Sequence, residues 1–176
     1  MDSSNSTMII VGAGMFVVLG GLYYYFYRKD KKSIAAVHPS PAPTVTEGTR
    51  TLQLQAYERL VILADRIAIP NLVSRNNQPG LDKTDMQLLL TGVIKQEFEH
   101  NLSQQIYVSQ EAWDAVRNLK EQNIHLINQV SSILPPETSG TDLNRRLLDF
   151  VLHQQNGSMH TLVQEALSYE AKKLMR

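Results

Sequence analysis

The chain has 176 residues, with 17 Lys/Arg against 17 Asp/Glu, five histidines and no cysteine. The lack of cysteine excludes disulfides and thiolate metal sites, and balanced charge is not the basic excess expected of a nucleic-acid-binding domain. No nucleic-acid partner is therefore expected. About 140 residues follow an apolar N-terminal stretch, which is room for one further domain.

That stretch, Met8 to Tyr27 (MIIVGAGMFVVLGGLYYYFY), carries no charged side chain. At about 1.5 Å of rise per residue it makes roughly 30 Å of helix, the thickness of a bilayer's hydrocarbon core. Arg28-Lys29-Asp30-Lys31-Lys32 follows at once, whereas residues 1–7 carry only Asp2 and the α-amino group. Positive residues stay on the cytoplasmic side, so the expected topology is a single-pass helix, N-terminus outside the inner membrane, C-terminal domain in the cytoplasm. Tyr23 to Tyr27 suit an interfacial aromatic belt. A cleaved signal peptide would carry its basic cluster on the other side. Gly12-Ala13-Gly14 imitates half of a dinucleotide-binding fingerprint, but no strand precedes it and Val17 stands where a third small residue belongs.

Four of the cations and two of the acids lie before residue 33, which leaves 13 against 15 in the remainder. Pro39, Pro41 and Pro43 alternate with small residues, a composition that favours extended, poorly packed chain. The expected organisation is an outer tail over 1–7, a membrane helix over 8–27, a basic stop and linker over 28–50, and a domain over 51–176.

From Thr51 onward the apolar period is helical throughout, and no segment alternates as a strand would. The fold class is all-α, a bundle of about five helices. In the first, Leu52, Ala56, Leu60, Leu63 and Ile67 form a stripe that Leu54, Tyr57, Val61, Ala64 and Ala68 widen. A face so broad marks the central helix, and Pro70 ends or kinks it. Asn76 to Gly80 is a loop. The second helix starts between Asp82 and Thr84, with Thr84 and Gln87 at capping-box spacing, and its apolar face runs from Met86 through Phe98 to Leu102 and Ile106. Ser109 is placed to cap the third, which Pro135-Pro136 stops. Ser139 is placed to cap the fourth, with Leu143, Leu147, Phe150 and Val151 inward. Asn156-Gly157 ends it, and Ser158 opens the fifth, with Met159, Val163, Ala166, Leu167 and Leu174 inward.

The run from Leu102 to Trp113 (LSQQIYVSQEAW), with the anchor, the linker and Ala56 to Leu60, resembles an uncharacterised family of membrane-anchored helical proteins of Bacteroidetes-type bacteria. The resemblance implies a bacterial inner-membrane protein and supplies no site.

Some polar residues break the pattern of their own helices. Glu97 and Asn101 fall in the apolar arc of the second helix, and Asn123 falls in that of the third. A buried polar group left unpaired costs about 1–3 kcal/mol, so these need partners and are expected to fix helix packing. Glu97 and His100 also form a Glu-x-x-His, half of the diiron motif of ferritin-like bundles, which needs that motif on each of two helices. The chain holds no second one. Trp113 lies at the edge of its stripe, a packing residue or an anchor for a partner. No catalytic motif stands out, and no cofactor is implied. Two functions follow: a membrane-tethered interaction or scaffold domain that binds a protein partner or a copy of itself, and a small enzyme or metal-binding bundle using Glu97 and His100.

Overall fold

The computed structural model describes residues 47–153 and 159–176. The expected membrane helix, its basic flank and most of the linker lie outside these residues, as do Asn156, Gly157 and Ser158. Among the described residues no helix is long and apolar enough to cross a membrane. Regular structure there is helical: α1 (Glu47–Ile67), α2 (Ile69–Asn76), α3 (Lys83–His100), a 3-10 turn η1 (Leu102–Ile106), α4 (Gln110–Ile133), α5 (Gly140–Leu152) and α6 (Met159–Leu174).

The first expected helix begins at Glu47 rather than Thr51 and divides in two. Glu47 in the first turn complements the positive end of the helix. Pro70 has no N–H to give and would crowd the carbonyl of residue 66, so α1 stops at Ile67. The chain restarts as α2 with the proline in its first turn, where the missing donor costs nothing. The carbonyls freed at the end of α1 are taken by side chains. Arg75 donates to Arg66 O at 3.1 Å, and Asn123 donates to Ile67 O at 2.7 Å.

At α3 the cap is Asp82, whose carboxylate accepts from Asp85 N at 2.8 Å. Gln87 is not its capping partner: it spans to α4, donating to Asn128 Oδ1 and accepting from Ser131 Oγ. The helix also ends six residues earlier than its apolar pattern suggests. The Asn101 side chain takes the Glu97 carbonyl at 2.8 Å, and its main-chain N–H bonds Phe98 O, three residues back. An asparagine competing for main-chain partners in this way tightens the chain into η1. Leu102 and Ile106 then leave the stripe and stand 42 % and 74 % exposed.

Ser109 and Ser139 accept from the main-chain N–H groups of Ala112 and Asp142 and cap α4 and α5. On α5, Leu143, Asn144 and Leu147 face inward, while Phe150 sits on the flank and is exposed, as Ala166 is on α6.

Cross-links fix the directions. Tyr57 meets Ser109 and Ile67 meets Asn123, so α4 runs parallel to α1. Tyr57 meets Glu170 and Val61 meets Gln164, so α6 runs antiparallel to α1. Gln87 meets Ser131 and Phe98 meets Trp113, so α3 runs antiparallel to α4. α3 therefore lies along the length of α4, with α5 beside both, while α1 pairs chiefly with α6. Leu60, Leu63, Met86, Leu90, Leu143 and Leu167 belong to one continuous core.

α3 and α5 start side by side. Lys83 N donates to Thr138 O at 3.1 Å and Gly140 N to Leu81 O at 2.9 Å, an isolated antiparallel bridge between Asp82 and Ser139. A Cβ on Gly140 would lie 2.8 Å from Met86 Cβ and about as close to two main-chain oxygens. Only glycine allows this approach.

Candidate functional site

Glu97 sits where three helices meet. Arg66 Nη1 of α1 donates to both carboxylate oxygens, at 3.0 and 3.2 Å, and Arg75 of α2 lies 3.8 Å away. The carboxylate of this Glu-x-x-His is therefore engaged by two guanidinium groups. His100 is exposed, and its Nδ1 lies 2.9 Å from Gln96 O. Among the described residues no three His, Asp or Glu side chains come together as a metal site. Asn101 and Asn123 each take a main-chain carbonyl at a helix end, as above. Trp113 is 6 % exposed and packs on Phe98 with ring centroids 5.0 Å apart, while Lys120 Nζ lies 4.5 Å from the Phe98 ring centroid. Little of the indole is left for a partner.

A different polar cluster joins α1, α4 and α6. Tyr57 donates its phenol hydrogen to Glu170 Oε2 at 2.6 Å and accepts from Ser109 N at 3.1 Å. Ser109 Oγ donates to the same carboxylate oxygen at 2.6 Å while capping α4. Glu170 thus sits against the positive end of a 24-residue helix, where a negative charge is favoured. Burial, then the hydrogen bond to Glu170, raises the Tyr57 pKa above its usual 10.0 and keeps the phenol protonated.

The cluster floors a pocket of about 410 Å³ lined by Gln53, Tyr57, Ile106, Tyr107, Val108, Ser109, Glu170, Lys173 and Leu174. Both hydroxyls point their hydrogens at Glu170 Oε2, and Glu170 Oε1 takes no hydrogen bond from the described residues. The Gln53 Oε1 on the same wall is buried and has no partner among the described residues. Lys173 holds its ammonium 4.5 Å from the Tyr169 ring centroid. The floor therefore offers a carboxylate, and Tyr107 and Lys173 stand among the apolar side chains of the walls.

A model of a family of unknown function, DUF7935, matches residues 4–174. The chain belongs to that family. No curated protein and no solved structure matches it. The DUF7935 match takes in the described helical domain almost whole, including the Tyr57, Ser109 and Glu170 cluster. Sequence reasoning gave Tyr57 to the apolar stripe and Ser109 to a cap, and did not single out Glu170. The partners are 113 and 61 residues apart, so no local spacing marks them.

Proposed function

We propose that this member of the family is a membrane-tethered interaction domain. Residues 8–27 cross the inner membrane of a bacterial cell with the N-terminus outside, and the helical domain stands in the cytoplasm on a proline-rich linker. The uncharged stretch and the 28–32 cluster support the tether. A protein partner docks at the end of the bundle where α1 begins, and a second copy of the chain counts among the candidates.

The observation that carries the docking reading is the position of Ile106, 74 % exposed at the wall of the Glu170 pocket. Leu52 and Met175 are exposed at the same end, because α1 and α6 run antiparallel. Exposed apolar side chains gathered around a pocket mark an interaction site, whereas single ones do not.

A photoreactive amino acid at position 106 of the full chain, in native membranes, tests this. The expected result is one discrete protein adduct from position 106 and none from Leu88, 63 % exposed on α3. Equal labelling from both positions, or none from 106, overturns the docking site. A reporter active only in the cytoplasm, fused after Arg176, should be active, and an export-dependent one silent.

A further inference from the structure

We infer that α6 pairs, antiparallel, with α6 of a second copy of the chain through a side it turns to solvent. Val163 and Leu167 seat this helix on the core. On another side Leu162, Ala166, Tyr169 and Lys173 follow at intervals of four, three and four residues, the spacing of a helix–helix seam. All four are exposed, Leu162 by 47 % and Tyr169 by 56 %. Lys173 holds its ammonium 4.5 Å from the Tyr169 ring centroid, so its stem extends the seam as apolar surface.

The charges beside the seam name the occupant. Glu165 and Lys172 are exposed along one flank of it. They stand seven residues, about 10.5 Å, apart, too far to pair with each other. No opposite charge lies three or four positions from either on α6. An antiparallel copy that sets Leu162 opposite Lys173 and Ala166 opposite Tyr169 brings each Glu165 to the other copy's Lys172. Both charges are then answered, and answered twice. A parallel copy would turn Glu165 toward Glu170, like against like. One helix face is a small interface, so the two copies meet because one membrane confines them; this rests on the tether proposed above.

The chain has no cysteine, so introduced thiols report alone. Differently tagged full chains bearing Leu162→Cys and Lys173→Cys, expressed together, are oxidised in isolated membranes. The mixed 162–173 disulfide should form. Neither variant should link to itself, because like positions lie eleven residues, about 16 Å, apart along the pair. Leu88→Cys with Lys173→Cys gives the background of chance collisions. Glu165→Lys or Lys172→Glu should lower the mixed link about 10-fold, by turning two attractions into repulsions, and the two together should restore it. All these positions are exposed, so the substitutions leave the core intact. A mixed link no better than background, self-links at 162, indifference to E165K, or no rescue by the double reversal overturns the pairing. Chain found outside the membrane fraction sinks the tether and the pairing with it, whereas a missing link within membranes sinks the pairing alone.

Discussion

Asn123 donates its side-chain amide to the main-chain carbonyl of Ile67 at 2.7 Å, across a buried contact between α4 and the end of α1. The acceptor belongs to the backbone, so no single substitution removes it along with its donor. Asn123→Leu strands that carbonyl among apolar neighbours. The expected cost is about 1–3 kcal/mol, the penalty for a buried polar group without a partner. Denaturant unfolding of the full chain checks it, and an unchanged midpoint would refute the capping role.

Two glycines, one at the start of α5 and one within α3, should respond to alanine with opposite sign. Gly140→Ala forces a methyl against Met86 Cβ and two main-chain oxygens, none of which can swing away. Overpacking of that kind costs about 1–3 kcal/mol, more than the helix propensity of alanine returns. Gly92 lies exposed within α3, and nothing stands within 4 Å of the place an alanine methyl would take. Gly92→Ala should therefore stabilise by about 0.5–1 kcal/mol. Thermal melts of the two variants side by side test the pair.

Stability should also respond to pH at both ends of the range. Burial and the Glu170 hydrogen bond raise the Tyr57 pKa, so its contribution is complete below 10 and lost as pH climbs through the higher folded-state value. Burial lowers the His160 pKa, with Asp65 opposing, so its contribution is complete above 6.5 and lost as pH falls. Tyr57→Phe should lower stability at pH 7 and lose less than the parent between pH 10 and 11. His160→Gln should lose less than the parent between pH 7 and 5. Denaturant midpoints against pH give both differences, and parallel curves for parent and variant would contradict the assignment.

The helical class and most helix limits were legible because they rest on local rules. Serine caps at 109 and 139, the break before Pro70 and the stop before Pro135 each need only a few consecutive residues. The extension of α3 to Ile106 was misread because apolar spacing alone ignores what Asn101 does with its side chain. Glu97 read as a polar residue in need of a partner and as half of a metal motif, whereas the two arginines that hold it come from α1 and α2, 31 and 22 residues earlier. The Tyr57, Ser109 and Glu170 cluster was hidden for the same reason, since it exists only once three helices have been brought together.

The antiparallel lie of α1 on α6 also sets how the domain bears tension. A pull on the chain ahead of Glu47, directed along α1, draws that helix lengthwise past α6. The Tyr57 link to Glu170 and the Gln164 link to Val61 are then strained together in shear. A pull at Arg176 directed away from the bundle would instead lift α6 off from its end, reaching the Glu170 link before the Gln164 link. The same two helices would resist the first load as a lap joint and yield to the second as a zip.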